Sequence, residues 1–326
     1  MWRHYSLTVG LPHTNFRNLA ERKLLMEAGN FFWRALGEAI GRPVSQLRSA
    51  TGEPVYATIF FVEERVPVGQ GLETFRLDDR LRFYVGLRFF GNRGVEARVM
   101  FDRDERFTAA YDPASSWHEG EALSHPAVRF GSLFASVDRQ RQALVPVPPV
   151  HVSCDGLPQL PMEEHPAHIT RQAQQTGHLD LIPEYWVALD PTGASETKYA
   201  IDPDRDTNAA GLVYFASYVA WLEMGERQAI PLPTSTGNPY TRDTVSVRRL
   251  LRRRIAYYGN ASMSDQVTIA ARRFAPPDDR QTLGLRYRVT RETDGALLCL
   301  SEALFSLTPR PAAVQNPIEI SLRVIS

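Results

Sequence analysis

The stretch Asp206-Thr-Asn208-Ala-Ala-Gly211-Leu212-Val-Tyr214-Phe215-Ala-Ser-Tyr218-Val219-Ala-Trp221-Leu222-Glu223 decides how the chain is read. It opens on turn and cap chemistry. Asp206 and Asn208 carry side-chain oxygens that accept from free backbone N–H groups at a helix start. Gly211 allows a backbone torsion that other residues resist. Leu212, Phe215, Ala216, Val219 and Leu222 then recur at spacings of three and four, on one side of a helix. Charge is scarce before Glu223 and Glu226, so burial is expected. The first N–H groups of such a helix have no intrahelical partner and carry the positive end of its dipole. They can polarise a carbonyl or hold an oxyanion. Asp206, Asn208, Gly211 and Leu212 are therefore candidate substrate-binding residues. The plainer reading is that Asp206 and Asn208 only cap a core helix.

The first half of the chain has the same plan. A short alternating strand at 5–11 leads into a polar turn with His13, Asn15 and Asn18, then a helix from about Leu19 to Ile40. Leu24, Leu25, Ala28, Phe31, Phe32, Ala35, Leu36 and Ile40 mark its apolar face, and Gly41 and Pro43 stop it. Strands are expected at Pro54–Val62, Thr74–Leu77, Leu81–Phe89, Val95–Asp102 and near 127–137. Trp117, His118 and His125 sit in loop-like surroundings. Prolines crowd 146–166, a stiff extended connector. Beyond it come strands at Tyr185–Leu189 and Glu196–Ile201, the aromatic helix to about 227, and a Pro/Thr/Gly loop at 231–242. Four strands close the pattern: Val245–Tyr258, Gln266–Phe274, Leu283–Thr290 and Leu297–Leu307, with Asn260 among the turn markers between them. The tail from Pro309 is irregular, with room for a short strand at 317–325.

Each half thus reads as strand, polar turn, one long buried helix, then antiparallel strands. A sheet of successive strands has a face that must be covered, and one apolar helix can cover it. The expected class is α+β: a double hot dog, two curled antiparallel sheets each wrapped around a central helix. Its units would be 1–145, a connector at 146–166, and 167–326.

Composition bounds the function. The chain has 326 residues, 43% of them apolar, with 37 basic and 37 acidic side chains. That balance argues against a nucleic-acid binder. Two distant cysteines, Cys154 and Cys299, make no disulfide framework and fit a reducing compartment. No signal-peptide pattern and no long apolar run occurs, so a cytoplasmic protein off the membrane is expected.

Chemical motifs are few. His165-Pro-Ala-His168 has ligand spacing but no second ligand pair, so no metal is expected. Arg248, Arg249, Arg252, Arg253 and Arg254 form the sharpest charge cluster, either a dock for a phosphate or acidic carrier or a strand face balanced by local acids. Tyr56 sits mid-strand. A strand tyrosine is usually packing, yet its phenol can donate to an enolate, and near its ordinary pKa of about 10 it is a poor nucleophile.

Several of these residues resemble one family. Leu11-Pro-His13-Thr-Asn15, Leu19-Ala-Glu21, Leu24-Leu25, Gly29 and Trp33 resemble the first hot-dog domain of the leinamycin-type bifunctional acyltransferase/decarboxylases of polyketide biosynthesis. Val55-Tyr56-Ala57 resembles that family's tyrosine strand, and Tyr199-Ala-Ile201 with the 206–223 stretch resembles its second entrance. The 206–223 pattern is shared with other acyl-thioester hot dogs. The resemblance implies decarboxylation of methylmalonyl-CoA and transfer of propionyl to the phosphopantetheine thiol of an acyl carrier protein, without a metal or redox cofactor. It places the catalytic tyrosine at Tyr56. An enolate needs donors aimed at the thioester oxygen, and His13 and Asn18 are the further catalytic candidates, with Asn15 on the substrate side. A hot-dog thioesterase or dehydratase, using Asp206 or Glu223 to activate water, and a non-catalytic acyl-thioester scaffold are the competing expectations. A monomer and a homodimer of such chains are both open.

Overall fold

The computed structural model describes residues 2–15, 18–108, 111–114, 123–138, 143–150, 152, 154, 156–190, 193–208, 211–229, 248–279 and 281–307. Trp117, His118, the 231–242 loop, Val245 and the 309–326 tail, on which sequence expectations fell, lie outside them. In chain order the strands of the first half are β1 (Trp2–Thr8), β2 (Thr14–Asn15), β3 (Asn18–Leu19), β4 (Tyr56–Arg65), β5 (Arg80–Phe89), β6 (Gly94–Arg103), β7 (Ala127–Asp138) and β8 (Ala143–Pro146). Those of the second are β9 (Val187–Ala188), β10 (Ser195–Ala200), β11 (Arg249–Tyr257), β12 (Gln266–Ala275), β13 (Thr282–Arg291) and β14 (Leu297–Ser306). The helices are α1 (Glu21–Ile40), α2 (Ala167–Thr176), α3 (Pro203–Asp206) and α4 (Ser217–Ala229).

One large antiparallel sheet runs β1-β5-β6-β7-β4-β11-β14-β13-β12-β10. Read from its two ends, the halves have the same order: first strand, third, fourth, fifth, second. They meet through their second strands, β4 and β11, from Arg65↔Arg252 to Phe61↔Ala256. Each half has its helix on the inner face, α1 against β5 and β6, α4 against β10 and β12. The buried side chains of α1 (Leu24, Leu25, Ala28, Phe31, Phe32, Ala35, Leu36) lie on the face the spacing predicts. Gly41, at φ 72, ends the helix as expected.

The repeat extends to details. Residue 60 of β4 is bulged against β7, and residue 251 of β11 is bulged against β14. The turn before each helix is Thr-Asn, two residues, one left-handed residue, then Leu. Asn18 and Gly211 both have φ 72. Asn15↔Asn18 closes the first turn, and Asn208 N–H donating to Leu212 O closes the second.

Three expectations need correction. Thr74–Leu77 is no strand: a 3-10 turn covers Leu72–Thr74. The chain there must cross from β4 to β5, which are not neighbours, so no hairpin can form. The aromatic helix begins at Ser217, so Leu212, Phe215 and Ala216 precede it. Tyr214 N–H and the Ser217 hydroxyl both donate to Asp206 O, which ties the residues before the helix back to Asp206. Directly after the Pro-rich connector a helix that the sequence reading did not include, α2, forms and packs on β11.

The five arginines lie in or beside β11, and acids from both halves meet them. Arg252 and Arg254 both contact Glu63. Arg249 pairs with Glu73 at 3.3 Å and Arg248 with Glu226 at 2.6 Å. Arg253 is fully buried and pairs with Glu21 at 2.5 Å. The cluster therefore fits a balanced strand face at the seam between the halves better than a carrier dock. Arg248 and Arg253 cannot reach a partner, and Arg249, Arg252 and Arg254 already have carboxylates.

Glu63 gives this seam a pH dependence. Burial pushes its carboxyl up, but Arg254 and Arg252 outweigh burial and hold it down to about 2. Its stabilisation is complete above the ordinary glutamate range and is lost as pH falls through about 2. The contribution at neutral pH is about 3 kcal/mol. Denaturation midpoints measured between pH 6 and pH 2 should fall with acid, and the fall should be shallower in Glu63→Gln.

Candidate active site

The β4–β11 ladder stops at Phe61↔Ala256, and the strands part beyond it. A cavity of about 400 Å³ opens in the gap. Thr58, Ile59, Phe60 and Leu133 wall it from the first half; Tyr218, Tyr257, Tyr258, Gly259, Asn260 and Arg291 wall it from the second. Tyr218 lies in the first turn of α4, so the positive end of that helix faces the same region.

Polar groups here are held in fixed directions. The Asn260 side-chain oxygen accepts from Val213 N–H at 3.2 Å and from Ala261 N–H at 2.9 Å. Both contacts pin the amide oxygen, which turns its Nδ2 donors elsewhere. Arg291 Nη1 donates to Asn260 O at 3.1 Å, and Asp294 takes Nε and Nη2. Tyr257 donates to Phe215 O at 3.0 Å and Tyr218 to Gly259 O at 3.4 Å. Burial pushes both phenols well above their ordinary range, so they remain neutral donors. The arrangement can stabilise negative charge on a carbonyl oxygen.

Sequence-predicted residues fall in three separate places. Tyr56 lies on β4 but lines an adjoining cleft of about 600 Å³ with Glu53, Pro54, Ser136, Val137, Asp138 and Val145. His13 and Asn18 sit in the turn before α1. Trp33, far along α1, donates to Ala57 O beside Tyr56 at 3.1 Å. His13 Nε2 lies 3.7 Å from Glu27, which is about 9 Å from Trp33 along a helix that rises about 1.5 Å per residue. None of Tyr56, His13 and Asn18 lines the seam cavity. His13 Nδ1 accepts from Gly10 N–H at 2.9 Å, and the Asn18 amide donates to Glu73 O at 2.5 Å. Both fasten the turn. Asn15 lines a space of about 40 Å³ with Glu21, Glu73, Glu223 and Arg248.

Asp206, Asn208, Gly211 and Leu212 form a clamp rather than a pocket wall. Asp206 is fully buried, and its carboxylate accepts from the Tyr199 hydroxyl at 2.6 Å and Asp202 N–H at 3.0 Å. Asn208 is exposed and caps its own turn, accepting from Leu212 N–H at 3.3 Å. Gly211 supplies the left-handed torsion, and Leu212 is half-buried. Neither the Asp206 nor the Asn208 side chain caps α4, which begins at Ser217, so both fasten the loop before it and not the helix start. Asp206→Ala removes the charged acceptor of the half-buried Tyr199 hydroxyl and of Asp202 N–H, and a loss of about 1.5–3 kcal/mol is expected in urea denaturation. Loss of turnover in an Asp206 variant therefore reports the clamp, not water activation.

His165 packs against Phe60 and Phe90, and His168 contacts Met162 O, so their rings are engaged separately. Among the described residues no group of His, Cys, Asp and Glu is placed to hold a metal, and no helix is long and apolar enough to cross a membrane.

No family model matches the chain, and no curated protein does. Solved structures do. One assigned as an oleoyl thioesterase from Lactobacillus plantarum superposes with TM-score 0.61 at 11% identity, over 95% of this chain and 97% of that one. An acyl-ACP thioesterase from Bacteroides thetaiotaomicron gives 0.55 at 10%, over 94% and 98%. A 12:0-ACP thioesterase from Umbellularia californica gives 0.55 at 9%, over 93% and 96%. The chain is a double hot dog. Sequence organisation predicted this fold, but it missed the residues that line the seam. Asn260 reads locally as a turn marker, and nothing near it in sequence reveals that Val213, 47 residues away, fixes its amide.

Proposed function

We propose that this double hot dog acts on acyl thioesters of CoA or an acyl carrier protein, and that it hydrolyses them. The observation that carries the reading is the pinned Asn260 amide in a cavity walled by both halves. Its Nδ2 donors suit the oxyanion that forms when water attacks a thioester carbonyl, and a donor fixed beforehand costs no reorganisation at that step. The start of α4 adds positive potential. Thioesterase activity in the similarly folded proteins supports the same reading. Water activation falls to a carboxylate of the adjoining cleft, Glu53 or Asp138, which shares the β4–β7–β8 wall with the cavity.

A second reading is the decarboxylating transfer of propionyl from methylmalonyl-CoA to a carrier. One observation favours it: among the described residues that line the seam cavity none is a carboxylate. Loss of CO₂ needs donors at the enolate oxygen and no base.

Intact-mass measurement of a phosphopantetheinylated carrier, together with thiol release, separates the two. The protein is incubated with the carrier and propionyl-CoA or methylmalonyl-CoA. Free CoA with an unloaded carrier is expected for the hydrolase. Propionyl on the carrier from methylmalonyl-CoA establishes the transfer reading. Unchanged thioesters overturn both.

A further inference from the structure

We propose that each chain carries a single working thioester pocket, and that Arg248 and Arg249 seal a second one that the repeat would otherwise create. This rests on the acyl-thioester reading above.

The two bulges fix the equivalence between halves. Aligning residue 60 with residue 251 pairs Ala57, Thr58 and Ile59 with Arg248, Arg249 and Leu250. It also maps the ladder pair Phe61↔Ala256 onto Arg252↔Arg65, as a twofold through Glu63↔Arg254 requires. In the same way Ser132, opposite Ile59, corresponds to Phe305, opposite Leu250. The seam thus has two equivalent ends. At one, Thr58 and Ile59, next to the small Ala57, line the 400 Å³ cavity.

At the other end the same positions hold guanidinium groups. Arg248 is buried and reaches Glu226 of α4, and Arg249 reaches Glu73. Phe305 stands where the open end has Ser132, with the Arg248 guanidinium 5.1 Å above its ring. Val66 N–H donates to Leu251 O at 2.8 Å, which carries strand pairing past the point where it stops at the open end. The space left is about 40 Å³. That is near the roughly 30 Å³ a single water occupies in the liquid. An acyl group does not fit without separating Arg248 from Glu226, and breaking a buried pair is strongly unfavourable. The arginine-rich strand is therefore a plug.

Native mass spectrometry with S-propyl-CoA, a thioether that cannot be hydrolysed, reads the number of sites. A benzophenone-bearing CoA thioether, photolysed and mapped by peptide, reads which end binds. One equivalent per chain is expected, with label in 56–60, 133–135 or 257–260. Glu73→Gln at the closed end should leave that stoichiometry unchanged. Two equivalents, or label around 72–73 and 248–250, overturn the single-pocket assignment while leaving the thioester reading intact. No binding of either probe removes the thioester reading, and the single pocket with it.

Discussion

Replacing Arg253 by methionine lowers the free energy of unfolding by about 3–5 kcal/mol, as removing one partner of a buried ion pair does. Arg253 is fully buried, with Glu21 at 2.5 Å and Glu64 at 3.8 Å. The pair ties the first turn of α1 to the strand that joins the halves. Methionine fills part of the volume but leaves two buried carboxyls without a cation. Burial, and then the charge of Glu21, already hold the Glu64 carboxyl well above its ordinary range. A carboxyl raised in the folded state stabilises fully below its unfolded pKa, and that stabilisation is lost as pH rises through the folded value. The Arg253→Met penalty should therefore be larger at pH 8 than at pH 5, where the stranded carboxyls can take protons. Adding Glu21→Leu should recover much of the loss, because it removes a charge the variant can no longer pair. Urea denaturation at the two pH values measures all of this. A loss below about 1 kcal/mol would mean the network does not hold the halves together.

Asn260→Asp should lower kcat on an acyl-CoA by about 10²–10³-fold while KM moves little, the range for removing one oxyanion donor. The substitution keeps an oxygen for Val213 N–H and Ala261 N–H, so the loop stays fastened. What changes is the other arm of the side chain, from an N–H donor to an acceptor. Facing a developing oxyanion, an acceptor repels where the amide attracts. Asn260→Ala should lose similar activity but also stability, since two backbone donors are then left without their acceptor. Wild-type turnover in a folded Asn260→Asp variant would remove Asn260 from the chemistry. A rise in KM alone would make it a binding contact that does not strengthen at the transition state.

The fold was legible in the sequence because its determinants are local. The α1 face follows from helical spacing, its end from Gly41, and the strands from alternation broken by turn residues. The repeat was visible for the same reason: both halves use a polar turn, a helix and four strands in the same order. Helix α4 was misjudged by several residues, because Asp206 O competes for the N–H of Tyr214 and draws the loop away from the helix.

Site residues were less legible, since their roles depend on partners far along the chain. Five arginines in seven positions read equally well as a dock or as a balanced strand. Glu21, 232 residues from Arg253, and Glu63, 189 residues from Arg252, decide for balance, and only folding brings them together. Tyr56, His13 and Asn18 read from the sequence as one group, yet none of them lines the seam cavity, whose walls come from residues distant in the chain. Spacing and turn residues suffice to specify two hot-dog repeats and the faces they bury. That one end of the seam is open and the other filled emerges on folding. That outcome depends on which side chains meet across the β4–β11 junction, and the periodicity of either strand alone carries no record of it.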